Sequence, residues 1–479
     1  MMQKKTPLYD ALIRHMKRNP VSFHVPGHKY GKVFPRNMYE QFSSILSIDA
    51  TELTGLDDLH APHGVIKEAE SLLAKLYKAD RSFFLVNGTT VGNLAMIMAV
   101  CQPGDLVLVQ RNCHKSILNG LKLANVRPLF LEPQFNPQWK IAEGVSYETV
   151  ENAIKLYPNV KALILTYPNY YGVTMDLKEI IKKAHQFNIP VLVDEAHGAH
   201  FILGEPFPSS AVELGADIVV QSAHKTLPAL TMGSYLHVNK GLVSILAVKE
   251  HLEMFQSSSP SYPIMSSLDI ARSYLGTFDM LDIQTLLRGI EAFKEELTRI
   301  PAIKVLSFSK HVGDALKITI QSTTNTTGFE LQQRFENEGI FTELADPYNV
   351  LLVYPLLKKK ATYPTEDVIN KMKYAVKDLK GDKINITQLY SSYRKQVSGL
   401  VVQYDKMQTL KKQLVSFNDA IGKIAAEMII PYPPGIPLLL EGEEITRDHL
   451  EELKLLKQSG ARFQGGLFLN NGQINVFAL

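Results

Sequence analysis

The chain has 479 residues, too many for one ordinary domain, so roughly two to four domains are expected. Hydrophobic residues make up 45% and charged residues 21%, ordinary globular proportions that permit a large buried core. Lys and Arg number 51 against 48 Asp and Glu, and this net +3 argues against a nucleic-acid or membrane-surface protein.

Cys101 and Cys113 form no CxxC pair, so the expectation is no disulfide framework and a reduced, cytoplasmic setting. No apolar core of a signal peptide follows Met1-Met2-Gln3-Lys4-Lys5. No apolar run approaches the ~20 residues of a membrane-spanning helix.

In chain order, residues 8–13 suit one small helix. Phe23-His24-Val25-Pro26-Gly27-His28-Lys29 reads as a turn whose histidines face either a pocket or solvent. Residues 51–64 form a loop rich in carboxylates and histidines, and apolar spacing predicts a helix over 65–78. From there to about 240, short apolar runs alternate with helical patterns. Strands are expected at 83–86, 106–109, 162–165, 191–193 and 218–220, with helices at 90–101, 115–124 and 177–187. Continuous apolar strands between helices indicate a parallel sheet covered on both faces. Residues 240–300 read as helical, interrupted by Gln256-Ser257-Ser258-Ser259-Pro260-Ser261-Tyr262-Pro263. A smaller α+β unit follows, with strands near 314–320 and 350–354 and helices near 328–338 and 366–379. A linker at 378–383 precedes a last unit that includes helical 402–427 and a rigid proline-rich run, 430–437. The expected division is an N-terminal segment 1–50, a large domain 51–300, a small domain 301–378 and a C-terminal domain 384–479.

Four pieces fall at strand ends. Asn87-Gly88-Thr89-Thr90 offers a glycine and hydroxyls at a helix N-terminus, which suits a phosphate or an ordinary helix cap. It lacks the Gly-Lys-Ser/Thr of a nucleotide loop. His114, in Arg111-Asn112-Cys113-His114-Lys115-Ser116, can lie flat on an aromatic ring or cap the next helix. Asp194 ends an apolar strand; a carboxylate buried there needs a cationic partner, such as a protonated pyridine nitrogen, unless it caps a helix. Asp194, His197 and His200 lie close in sequence, but H-x-x-H is not the i, i+4 spacing of zincins, so no metal is expected. Ser222-Ala223-His224-Lys225 places an amine beside a histidine at another strand end, 31 positions after Asp194, an arrangement suited to imine formation with a bound aldehyde. In that chain order the pieces point to pyridoxal 5′-phosphate (PLP), held by Lys225 as a Schiff base.

These residues resemble the Orn/Lys/Arg decarboxylases among the fold-type-I, aspartate-aminotransferase-like PLP enzymes. The carrying motifs are Phe23–His28, Gly55-Leu56-Asp57-Asp58-Leu59-His60, Asn87–Thr90, Arg111–Ser116, Asp194-Glu195-Ala196-His197-Gly198, Ser222–Lys225 and Pro431-Tyr432-Pro433-Pro434-Gly435. The resemblance implies an α/β large domain with a mostly parallel sheet, a smaller α+β domain and an appended C-terminal α+β domain. It implies Lys225 as the Schiff-base lysine, Asp194 on the pyridine nitrogen and His114 stacked on the ring. It places Gly88, Thr89, Thr90, Ser222 and His224 on the phosphate side, with Ala196 and His197 packed against the cofactor. The implied catalytic set is Lys225, Asp194, His114 and His224. The implied reaction converts a basic amino acid, arginine before lysine or ornithine, to its amine and CO2 for polyamine synthesis. A short form without the N-terminal wing of the large members is expected. It would be a homodimer or higher homo-oligomer with the site at the interface, and Ser257–Tyr262 would reach the partner's cofactor. The substrate's cationic side chain should meet carboxylates: Glu52, Asp57 and Asp58 are candidates, whereas Glu441, Glu443 and Glu444 read better as a solvated turn. Transamination, aldol cleavage and a non-catalytic PLP-fold protein remain the other readings.

Overall fold

Four short, almost wholly buried strands make the floor of the first of two units into which the chain divides. That unit comprises Met1–Val100, Pro190–Glu205 and Ser209–Asp279; the second comprises Cys101–Ile189, Pro206–Pro208 and Met280–Leu479. The structure is a computed structural model that describes residues 2–308, 313–380, 395–432 and 436–479. Residues 381–383 of the expected linker, the start of the 384–479 domain and Pro433-Pro434-Gly435 lie outside the described residues.

In the first unit, Val191–Asp194 runs parallel to Ile218–Gln221. Ser234–Val238 pairs antiparallel with Ile218–Gln221, and Arg81–Leu85 pairs antiparallel with Ser234–Val238. These directions bring four points of the sequence to one edge: Asp194, Gln221, Ser234 and Leu85. The chain leaves Leu85 for the helix Gly88–Val100, whose first residue has φ +77°, a conformation glycine adopts without strain. The helix lies close on the sheet because position 92 has no side chain. A Cβ there would fall 2.5 Å from Val220 Cγ1 and 2.8 Å from Leu85 Cδ1. Helices Pro7–Met16, Tyr39–Ile48, Val65–Tyr77, Ile245–Phe255 and Tyr262–Leu275 complete the unit.

The second unit holds the parallel strands Ala162–Thr166, Leu106–Gln110 and Arg127–Leu131, with Val397–Gly399 antiparallel against the last. It also holds an antiparallel sheet, in the order Ile303–Val305, Lys317–Ser322, Asn349–Val353 and Leu344–Ala345, with helices Gly328–Asn337 and Thr365–Ala375. Further along, Lys412–Ser416 pairs with Gln473–Phe477 around a core that includes Phe417, Ile429, Leu450, Leu453, Ile474 and Val476.

Three sequence expectations change. The stretch 402–427 is not one helix: two four-residue helices, Tyr404–Met407 and Phe417–Ala420, flank the strand Lys412–Ser416. Pairing with Gln473–Phe477 overrides its helical pattern, and the Ser416 side chain starts the second helix by accepting from the Asp419 N–H. Two strands, Arg127–Leu131 and Ser234–Val238, and the helix Tyr39–Ile48 were not anticipated. The strand at 234 makes this part of the sheet antiparallel, an exception within the mostly parallel sheet expected.

Gly92→Val should lower stability by about 2–3 kcal/mol, because neither Val220 nor Leu85 can retreat within a close-packed layer. An unchanged urea midpoint would show that the helix can lift off the sheet.

Candidate functional site

The edge shared by Asp194, Gln221, Ser234 and Leu85 carries most of the residues singled out in the sequence. Gly88 opens the helix, and its N–H donates to Met232 O at 2.9 Å. Beside it, Thr89 Oγ1 bonds Ser222 Oγ and lies 3.1 Å from Ser234 Oγ. The result is a cluster of three buried hydroxyls from a helix start, the residue after one strand and the first residue of another. Thr90 is exposed at the same helix start.

Asp194 is 2% exposed. Its Oδ2 accepts from Asn93 Nδ2 at 2.8 Å and its Oδ1 from the Ala196 N–H at 3.1 Å. Among the described residues, both hydrogen-bond partners are neutral and no side chain forms an ion pair with it. Lys225 Nζ lies 3.0 Å from Nε2 of the buried His197. His224 Nδ1 faces Gly233 O at 3.0 Å, so Nδ1 carries the proton there.

A buried polar chain runs beneath this edge. Ser82 Oγ donates to His237 Nδ1 at 2.7 Å, and His237 Nε2 donates to Gln221 Oε1 at 3.1 Å. Gln221 Nε2 in turn donates to Glu195 Oε2, which also accepts from Ser210 Oγ at 2.8 Å. Burial pushes the His237 imidazole down to about 3, so it is neutral, as this direction of bonding requires. Glu195 and Gln221 adjoin Asp194 and Ser222 in sequence, so their bond ties together the two strand ends that carry the site.

His114 belongs to the second unit. It caps the helix Lys115–Leu123, where Nδ1 accepts from the Ser116 N–H at 3.2 Å and lies 2.8 Å from Ser116 Oγ. The candidate substrate carboxylates have the following partners. Asp57 accepts N–H bonds from His63, Gly64, Ile66 and Lys67 at 2.8–3.3 Å and caps the helix Val65–Tyr77. Asp58 accepts from the His60 N–H, and Glu52 from Thr51 Oγ1. Glu441 and Glu443 are ion-paired rather than free in a turn, with Lys122 at 2.7 Å and Arg111 at 2.9 Å respectively. Tyr262 is turned inward, donating to Asp57 O at 2.5 Å. At the N-terminal turn, Tyr30 Oη lies 2.8 Å from His15 Nε2 and 3.1 Å from His24 Nε2, and His28 pairs with Asp49.

Sequence reading gave no role to Asn93, Ser234, Gln221 or Glu195, the last quoted only within its motif. Asn93 had a usable signal: it lies four positions after Thr89 and therefore on the same helical face.

The profile described as "Orn/Lys/Arg decarboxylase, major domain" matches residues 6–330, and "Orn/Lys/Arg decarboxylase, C-terminal domain" matches residues 384–467. The chain belongs to the Orn/Lys/Arg decarboxylase family. It is 47% identical to "Uncharacterized protein YaaO" of Bacillus subtilis (strain 168), over 98% of both chains. It is 34% identical to the arginine decarboxylase of Bacillus anthracis, over 97% of this chain and 96% of that one. Its fold matches the crystal structure of the Francisella novicida lysine decarboxylase LdcF with a TM-score of 0.80, at 22% identity, over 98% of this chain and 80% of that one. As a member of the family it is a carboxy-lyase with the fold-type-I architecture. It decarboxylates a basic amino acid with PLP as cofactor.

The residues present fit that cofactor. A desolvated carboxylate with only neutral donors is a seat for a cationic ring nitrogen. The buried hydroxyls of Thr89, Ser222 and Ser234 beside the start of the Gly88 helix suit a phosphate. Among the described residues, no group of three His, Cys, Asp or Glu side chains could hold a metal ion, and no helix is long and apolar enough to cross a membrane.

Burial raises the Glu195 carboxyl from its ordinary 4.5 to about 8, against the bonds donated by Ala211 N–H, Gln221 and Ser210. Between those values the folded chain holds a proton that the unfolded chain has released, so the stability contributed here falls as pH rises. Glu195→Gln removes that slope. The variant should therefore gain stability relative to the wild type between pH 5 and 8 in chemical denaturation; a constant difference would contradict this ionisation.

Proposed function

We propose that this decarboxylase acts on arginine in preference to lysine or ornithine, and that Lys225 is the amine to which PLP is attached. The observation that carries the site assignment is one sheet edge bearing Lys225, the buried Asp194 with neutral donors and the Thr89–Ser222–Ser234 hydroxyl cluster. The preference for arginine rests on the 34% identity, at nearly full length, to a protein named arginine decarboxylase.

In this reading Gly88, Thr89, Thr90, Ser222 and His224 hold the phosphate. Asp194 holds a proton on the ring nitrogen, oriented by Asn93 and the Ala196 N–H. Ala196 and His197 pack against the cofactor, and His114 lies on the ring face. The bound cofactor supplies an electron sink for the pair left when the bond between Cα and the carboxylate breaks and CO2 departs. Lys225 Nζ, within hydrogen-bond reach of His197 Nε2, would deliver the proton that takes the place of CO2 on Cα, and His224 is a further candidate for that role.

We further propose a homodimer or higher homo-oligomer, a cytoplasmic location and a place in polyamine synthesis. The domain division is 1–50, 51–300, 301–378 and 384–479. The family and the lack of a candidate membrane-spanning helix among the described residues are compatible with this setting.

The test is CO2 release from arginine, lysine and ornithine by PLP-loaded protein. Arginine should give the highest kcat/KM, by about tenfold or more. Release from none of the three would end the reading, and a keto acid among the products would favour transamination. Lys225→Ala should abolish turnover and the visible absorbance. Asp194→Asn should lower kcat by about 10²-fold or more while leaving the fold intact, because it removes the charge opposite the ring nitrogen. Equal activity in Asp194→Asn would contradict the assigned role.

A further inference from the structure

The turn that carries His114, and the far end of the helix that His114 caps, are each held by the C-terminal part of the chain. Arg111, three residues before the histidine, is 4% exposed. Its Nη2 donates to Glu443 Oε2 at 2.9 Å and to Leu438 O at 3.2 Å, and its Nε lies 3.8 Å from Glu132 Oε2. Glu443 Oε2 also accepts from the Leu440 N–H at 3.0 Å, so the carboxylate is itself held in place. Lys122, near the far end of the helix that His114 caps, donates to Glu441 Oε2 at 2.7 Å. Lys412 holds Glu441 Oε1 at 2.9 Å.

The turn is tied down at its base as well. Gln110 Nε2 donates to Asn112 Oδ1 at 2.8 Å, and Asn112 Nδ2 to Glu143 O at 2.9 Å. Burial raises the Glu443 carboxyl, but the Arg111 guanidinium, His449 and the Leu440 N–H together outweigh it and hold the carboxyl below its ordinary value, so it is charged at neutral pH. A buried ion pair gains little stability over apolar side chains of the same volume. What it supplies is a fixed, directional bond, and a ring-stacking imidazole must be held to within about 0.5 Å.

We propose that Glu443 and Glu441 of the C-terminal domain are positioning residues for His114, acting through Arg111 and Lys122 to set the imidazole against the cofactor ring. The proposal rests on the stacking role read above for His114. It gives the C-terminal domain a part in the reaction without any contact between its acids and the substrate.

The test compares wild type, Glu443→Gln, His114→Ala and the double variant as full-length chains. The readouts are the Kd for PLP added to apoprotein and the visible circular dichroism of the loaded protein, which reports how firmly the ring is fixed. His114→Ala should raise the Kd about tenfold. Glu443→Gln should raise it about five- to tenfold in the wild-type background but less than about twofold when His114 is absent. An unchanged Kd and dichroism in Glu443→Gln would overturn the proposal. So would an equal penalty in both backgrounds, which would mark a general structural role. If His114→Ala changes neither readout, the stacking role itself fails and the brace falls with it. If Glu443→Gln does not fold, Glu441→Gln, at the more accessible pair, should raise the Kd about two- to threefold with the same dependence on His114; no change would overturn the proposal.

Discussion

A carboxylate taken out of water at the end of a strand is the constraint on which the first unit's site depends. Asp194 is almost wholly buried, and its bonds come from an amide and a backbone N–H, neither of which offsets a full charge. Its surroundings make sense when a cation completes them. Asn93 and Ala196 aim the two oxygens, and the sheet ladder aligns Asp194 with Val220, two residues before Ser222. A ring whose nitrogen meets Asp194 can therefore present its other groups to the residues of the neighbouring strand end.

The sheet's mixed direction makes this edge possible. Parallel pairing alone brings Asp194 and Gln221 to one side. The two antiparallel ladders that follow return the start of one strand, Ser234, and the end of another, Leu85, to that same side. Four separate parts of the chain thus deliver a carboxylate, an amine, three hydroxyls and a helix start. Gly92 allows the helix to rest close on these strands. The polar chain from Ser82 through His237 and Gln221 to Glu195 crosses beneath the edge and couples its strand ends.

Much of this was legible in the sequence because the decisive residues lie within a few positions of an apolar run. Asp194 ends Val191-Leu192-Val193, and Lys225 follows Ile218-Val219-Val220 closely enough that strand ends predict their placement. Asn93 and Ser234 were not legible in the same way. Asn93 meets a partner 101 positions away, and Ser234 begins a strand, Ser-Tyr-Leu-His-Val, whose buried polar residues break the continuous apolar run that marked the other strands. The helical pattern at 402–427 misled because the partner of Lys412–Ser416 is the strand Gln473–Phe477, and local spacing carries no trace of such pairing. Glu441 and Glu443 read as solvated for the same reason: Lys122 and Arg111, which pair with them, lie more than 300 positions earlier.

The attachment of PLP to Lys225 is tested most directly by reducing the loaded protein with borohydride and mapping its peptides by mass spectrometry. The account predicts a pyridoxyl group on the peptide containing Ser222-Ala223-His224-Lys225, at Lys225. A pyridoxyl group on a different lysine, or none in protein that is catalytically active with PLP, would contradict it.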